Sequence, residues 1–160
     1  MRIQIAAIGR LKTGPEKLMA DDYQKRIAVL GRKAGITAVK VSEWSESQQA
    51  TTKQRLDEES EILWGAGPVG ATTFLLDERG KSHSSEEFAA KLRKSADQGV
   101  SDVVFMIGGP DGHSPQSREK ANSLIALGPM VWPHRLVRIM LLEQIYRSVT
   151  IMLNHPYHRS

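Results

Sequence analysis

The chain of 160 residues contains no cysteine. That removes disulfides, thiol catalysis and thiolate metal sites, and it suits a reducing compartment. A chain of this length is most simply one domain and buries roughly 70% of its unfolded surface, so it needs no covalent staple. Long apolar runs are also missing. Leu136–Leu153 comes nearest to the ~20 residues of a membrane span, but it carries Arg138, Glu143 and Arg147. The N-terminal run from Ile3 to Ile8 is too short for a signal segment and is interrupted by Gln4, then closed by Gly9-Arg10. It reads as a first strand, and the expected location is cytoplasmic with no membrane contact. Repeats and low-complexity segments are absent. So are two nucleotide signatures: Gly108-Gly109-Pro110-Asp111-Gly112 lacks the GxGxxG spacing, and no Lys-Ser/Thr follows it as in a P-loop. A nicotinamide-dependent oxidoreductase is disfavoured by the same absence.

What is present is an alternation of β-type runs and helical patterns, the mark of an α/β domain with a mostly parallel sheet. Five strands are predicted at Arg2–Ile8, Ile36–Ser42, Thr72–Asp77, Asp102–Ile107 and Leu127–Trp132. Helices are predicted at Pro15–Leu30, Ser47–Gly65, Ser84–Ala96, Pro115–Ala126 and His134–Leu153. Ser84 before Glu86-Glu87, and Ser114 before Pro115, mark helix starts by side-chain capping and by proline at the first turn. The last helix carries apolar residues around more than one narrow stripe, which predicts burial on several sides and a second copy of the chain packed against it.

The charge balance is +4. Between Pro133 and Ser160, Arg135, Arg138, Arg147 and Arg159 outnumber Glu143, so the C-terminal end is the expected face for an anionic ligand.

Chemistry concentrates at three predicted strand ends and in the tail. Phe105–Ile107 runs into Gly108-Gly109, where backbone groups can approach a ligand closely. Leu75-Leu76-Asp77 runs into Glu78-Arg79-Gly80, with Asp77 read foremost as a cap of that turn. In Leu127-Gly128-Pro129-Met130-Val131-Trp132-Pro133 two prolines leave few backbone donors, and the free carbonyls and amides suit a planar base, while Trp132 reads by type as core. The tail, Asn154-His155-Pro156-Tyr157-His158-Arg159-Ser160, places two imidazoles, a phenol and a guanidinium behind the last helix. Proline disfavours the helix that would align His155 and His158 on a metal, and no cysteine can join them. No metal is expected. Arg, His and Tyr over a phosphate-bearing substrate fit the charge better.

These residues resemble the pseudouridine methyltransferases of large-subunit ribosomal RNA, in the SPOUT (α/β-knot) superfamily. The resemblance runs from Ile8-Gly9-Arg10-Leu11-Lys12 through Leu76-Asp77, Ser84-Ser85-Glu86-Glu87 and Ile107-Gly108-Gly109 to Glu143-Gln144-Ile145-Tyr146-Arg147 and the tail from Asn154 to His158. It implies a single methyltransferase domain over residues 1–160, a C-terminal trefoil knot and a homodimer. It also implies methylation of N3 of a pseudouridine in 23S rRNA, on the subunit-interface stem-loop of the assembled ribosome. S-adenosylmethionine would be held by Leu76, Gly108, Leu127, Gly128, Pro129, Met130, Val131 and Trp132, and the nucleotide handled by Arg147, Tyr157 and His158. A domain this small would recognise the assembled particle by shape, so naked rRNA is expected to be a poor substrate. The rival reading is a ribosome-binding or assembly factor of the same fold without methyl transfer.

Overall fold

The computed structural model describes residues 1–158. Five parallel strands form one sheet in the order β2-β1-β4-β3-β5, where β1 is Arg2–Ile8, β2 Ala38–Trp44, β3 Thr72–Ser82, β4 Asp102–Ile107 and β5 Ser123–Ala126. The helices are α1 (Pro15–Leu30), α2 (Thr52–Gly65), α3 (Ser85–Asp97), α4 (Pro115–Lys120) and α5 (His134–Met152). Central strands buried on both faces need continuous apolar runs, and β1 and β4 supply them. Ile3, Ile5, Ala7, Val103 and Phe105 share a core with Ile27 of α1, Leu92 of α3 and Leu142 of α5. Ala6, Ile8, Val104 and Met106 point the other way, against Leu63 of α2. Three helices therefore cover one face.

The strand and helix order agrees with the sequence reading, and the boundaries differ where local side chains decide. Helix α2 starts at Thr52 rather than Ser47, because Thr51 accepts from the Gln54 amide and Gln54 reciprocates in a capping box. β2 is displaced to Ala38–Trp44 by pairing Ile8 with Trp44. The largest shift is in the fourth helix and fifth strand. α4 stops at Lys120, and Ala121 is already extended. The Asn122 amide donates to Thr73 O at 3.1 Å, and its side-chain oxygen accepts from Thr73 N at 2.7 Å. β3 thus recruits Ser123–Ala126 as the edge strand, and the predicted strand Leu127–Trp132 is a loop instead. Gly128 there has φ +101°, and Pro129 has no amide to give to a ladder.

The several-sided burial of α5 also has a cause within the chain. The helix lies between α1 and α3 on the sheet, so Ile139, Leu142, Ile145 and Val149 are all enclosed. Leu136 remains exposed and Met140 half-buried. Arg138 is fully buried: it pairs with Glu43 and donates to Gly9 O at 2.8 Å.

Candidate functional site

Because the strands are parallel, their carboxyl ends gather on one edge, where ligands of open α/β sheets bind. A cavity of about 320 Å³ opens there between the ends of β3 and β4, the loop after β5 and the first turns of α5. Leu76, Gly108, Leu127, Gly128, Met130, Val131 and Trp132 all line it. Pro129 is in the same loop without lining the cavity. The volume is at the lower end of the ~300–1,000 Å³ typical of ligand sites.

The walls explain the glycines. A Cβ on Gly108 would sit 2.4 Å from Gly112 O, because the chain doubles back there: Gly112 N donates to Gly109 O at 2.9 Å and Gly112 has φ +77°. Gly109 in turn presses on Glu59 of α2, whose Oε2 lies 2.7 Å from where a Cβ would be. Glu59 is 3% exposed, accepts from Ser47 N at 2.9 Å, and burial pushes its carboxyl above the usual range. Across the cavity the Trp132 indole donates to Leu127 O at 3.2 Å, closing the loop on itself. Trp132 is 37% exposed, so it is a cavity wall and not the core residue its type suggests; Met130 and Val131 are 67% and 80% exposed. Apolar side chains beside a turned-back backbone are the surroundings a nucleoside needs.

Charge at this edge is arranged in pairs. Asp77 Oδ2 meets Arg118 Nε at 2.6 Å, and Asp77 Oδ1 accepts from Arg79 N at 2.9 Å, the expected turn cap. Burial works against the Asp77 charge, but the arginine and the amide outweigh it and hold the carboxyl below its ordinary range. Asp111 is held by Arg55 and Glu43 by Arg138. Arg10 and Lys12 after β1, Arg79 within β3 and Arg135 at the start of α5 are exposed. Beneath this edge His113 is 3% exposed, and burial lowers its imidazole to about 4, so it is neutral at pH 7.

The tail residues form a second cluster. Glu143 of α5 accepts from Arg147 Nε and Nη2 at 2.9 and 2.6 Å and from the Tyr157 hydroxyl at 3.1 Å. Arg147 stacks over the Tyr157 ring at 5.1 Å, and that ring meets Tyr146 edge-on at 4.8 Å. Burial, with Tyr23 and Glu143 beside it, keeps the Tyr157 phenol protonated well above its ordinary range. His158 Nε2 lies 3.0 Å from Glu86 Oε1, while its Nδ1 is buried without a hydrogen-bond partner among the described residues. His155 Nδ1 accepts from Tyr157 N at 3.2 Å. Arg159 and Ser160 lie outside the described residues.

The two clusters are separate in one chain. Arg147 is 13 residues beyond His134, about 20 Å along α5 at 1.5 Å per residue. Glu143 lines a second cavity of about 610 Å³ with Met19, Tyr23, Phe88 and Met140. Ile125, Leu127 and Gly128 belong to the walls of both cavities. Sequence reasoning assigned no site role to Arg118, His113 or Glu59. A glutamate in a charged amphipathic helix such as α2 carries no local sign that it will be buried.

A parallel sheet with a glycine-walled cavity at its carboxyl edge is the frame of an α/β protein that binds a nucleotide-like group. The family model described as "Predicted SPOUT methyltransferase" matches residues 1–158, and the chain belongs to the SPOUT methyltransferase family. It is 47% identical over 159 residues to the ribosomal RNA large subunit methyltransferase H of Nitrobacter hamburgensis, covering 99% of each chain. It is 48% identical to the protein of that name from Rhizobium rhizogenes, again with 99% of each covered. A solved methylase-family protein from Neisseria gonorrhoeae shares the fold, with TM-score 0.50 and 11% identity over 90% of this chain and 81% of its own.

Proposed function

We propose that this protein methylates N3 of a pseudouridine in 23S rRNA, on the subunit-interface stem-loop of the assembled ribosome, with S-adenosylmethionine as donor. The observation that carries the reading is convergence. Leu76, Gly108 and the loop from Leu127 to Trp132 are far apart in sequence and line one cavity, in a chain whose full-length relatives bear the name of a ribosomal RNA methyltransferase.

The cavity suits the donor. The Trp132 indole holds the loop at Leu127 O, and Gly128 takes a backbone conformation other side chains resist. Leu127, Met130 and Val131 supply apolar contact for an adenine, and Gly108 keeps the opposite wall free of a side chain. When bound, S-adenosylmethionine would supply an electrophilic methyl group: N3, having lost its proton, would bond to the methyl carbon as the methyl–sulfur bond breaks and S-adenosylhomocysteine leaves. The residues of this chain align the acceptor in line with that methyl. Arg147 steadies phosphate or uracil oxygen charge, Tyr157 packs on the base, and His158 orients it or relays the proton.

The reading includes a homodimer. Leu18, Met19 and Leu136 are exposed apolar residues, and Met19 lines the second cavity; a second copy would cover such a surface. In that arrangement the tail of one subunit closes the partner's cavity, which the ~20 Å separation along α5 calls for. It also includes a cytoplasmic location, one methyltransferase domain over residues 1–160 and the trefoil knot. Among the described residues no helix is long and apolar enough to cross a membrane. The exposed Arg10, Lys12, Arg79 and Arg135 suit the phosphates of rRNA.

Mapping methylated nucleotides in ribosomes from cells with and without the protein tests the reading. Loss of one N3-methylpseudouridine, restored by adding protein and S-adenosylmethionine to the purified ribosomes, is expected. An unchanged map, with ribosome binding intact, would favour a non-catalytic assembly factor.

A further inference from the structure

Glu143 has no part in the cofactor cavity, yet it is the point at which two of the nucleotide-handling side chains meet. Its Oε1 accepts from Arg147 Nε and Nη2 and from the Tyr157 hydroxyl, and its Oε2 accepts from Gln144 Nε2 at 2.7 Å. Gln144 Oε1 in turn accepts from the Ser85 hydroxyl at 2.9 Å, so the carboxylate is braced against the first turn of α3. A glutamate four residues before an arginine on a helix is ordinarily a solvated ion pair of small consequence. This one differs in three ways. Its side chain is 17% exposed. It collects a phenol from beyond the end of the helix, 14 residues away. Its two oxygens together take four donor contacts, three on Oε1 and one on Oε2.

A carboxylate so placed is turned toward Arg147, Tyr157 and Gln144. It is therefore placed as a holder. The Arg147 guanidinium spends its Nε/Nη2 side on Glu143 and keeps its Nη1 donors for another oxygen. Tyr157 donates its only proton to Glu143, and the contact fixes the ring between Arg147 and Tyr146. Without that contact no side-chain hydrogen bond would hold Tyr157 to the helix among the described residues, and the ring and the guanidinium would sample separate positions.

We infer that Glu143 is the positioning residue of the methyl-acceptor site: one carboxylate sets Arg147 and Tyr157 in a single geometry in which they meet the target nucleotide together. The inference rests on the assignment of Arg147 and Tyr157 to the nucleotide. It commits Glu143 to orientation alone, with neither proton transfer nor cofactor contact.

The test is single-turnover methyl transfer from labelled S-adenosylmethionine to ribosomes lacking the modification, using full-length wild type, Glu143→Gln, Glu143→Asp, Arg147→Ala and the Glu143→Gln/Arg147→Ala double variant. Glu143→Gln keeps the size and an acceptor for the phenol but loses the charge that makes the arginine contact strong. Its maximal rate should fall about 10- to 100-fold, the scale of a misplaced reacting group. The ribosome concentration at half-saturation and the calorimetric affinity for S-adenosylmethionine should stay within about 2-fold, since Glu143 binds neither. Glu143→Asp, which keeps the charge one methylene short, should recover part of the rate. The double variant should be no slower than Arg147→Ala alone, because the two residues act as one unit. A purely structural glutamate would instead lower the melting temperature and multiply its effect with that of Arg147→Ala. Wild-type rate in Glu143→Gln, or multiplicative loss in the double variant, overturns the inference. Wild-type rate in Arg147→Ala overturns the underlying assignment of the nucleotide site, and the inference with it, whatever Glu143→Gln shows.

Discussion

Arg138 Nη2 donates to Gly9 O at 2.8 Å across 129 residues of sequence, and its Nη1 pairs with Glu43, whose other oxygen accepts from Leu11 N at 3.1 Å. The start of α5, which walls the cavity at the carboxyl edge of the sheet, is thereby locked to the loop carrying Arg10 and Lys12. Removing one partner of a buried pair strands the other charge, at a cost of about 3–5 kcal/mol. Arg138→Met should lose stability on that scale in denaturant unfolding, and adding Glu43→Gln should restore part of it. Equal stability of Arg138→Met and wild type would show that the pair holds nothing.

Gly108→Ala should abolish cofactor binding more completely than its one methyl group suggests. The added Cβ meets the backbone of Gly112 at 2.4 Å, so the Gly108–Gly112 turn must open. Affinity for S-adenosylmethionine measured by calorimetry should fall more than about 10-fold, with a loss of stability of about 1–3 kcal/mol typical of a strained point change.

His158→Ala should cut methyl transfer while leaving cofactor affinity unchanged, because His158 lies against Glu86, outside the residues that line the cavity. Single-turnover rates and calorimetry on the same preparation check both halves. Unchanged turnover would remove His158 from the reaction.

His113 gives the stability a defined pH dependence. Burial holds its folded-state value at about 4, against about 6.5 in an unfolded chain. Between those values the unfolded state binds the extra proton, so stability is full above about pH 6.5 and is lost as pH falls toward 4, by about 3 kcal/mol at most. Glu59, whose carboxyl is raised, contributes with the opposite sign in its own window. Comparing wild type with His113→Gln therefore isolates the histidine, and the variant should show a shallower decline of unfolding free energy between pH 6.5 and 4.

The exposed basic residues predict a salt signature. Arg10→Ala/Lys12→Ala should raise the ribosome concentration needed for half-maximal rate. It should also lower the slope of log affinity against log salt by about 1 for each phosphate the variant no longer neutralises. The maximal rate and cofactor affinity should hold. An unchanged slope would place the rRNA elsewhere.

The apolar runs of β1, β3 and β4 and the capped starts of α3 and α4 were legible in the sequence because their causes are local: period, β-branching, a serine before a glutamate or a proline. The loop from Leu127 to Trp132 stands out in the sequence through its prolines and glycine, the resemblance adds which other residues belong with it, and Leu127, Gly128, Met130, Val131 and Trp132 line one cavity with Leu76 and Gly108. Its reading as a strand failed because the edge of β3 recruits the preceding four residues through Asn122 and Thr73, a pairing between distant segments that no window of sequence contains. Burial of Glu59, Arg138 and His113 has the same origin. Each is a polar residue with contacts supplied from other elements: Ser47 for Glu59, Gly9 and Glu43 for Arg138, and the backbone of Leu76 and Met106 for His113.

Sequence by itself determined the α/β class, the strand-end glycines and the reactive tail, since side-chain type and spacing are enough to set them. Tertiary structure alone decided that Leu76, Gly108 and Trp132 face one cavity, that Glu143 gathers Arg147 and Tyr157, and that the second cavity, which Glu143 lines, shares Ile125, Leu127 and Gly128 with the first. Those are distances between elements, and they exist only once the parallel strands have brought their carboxyl ends to one edge and fixed α5 between α1 and α3.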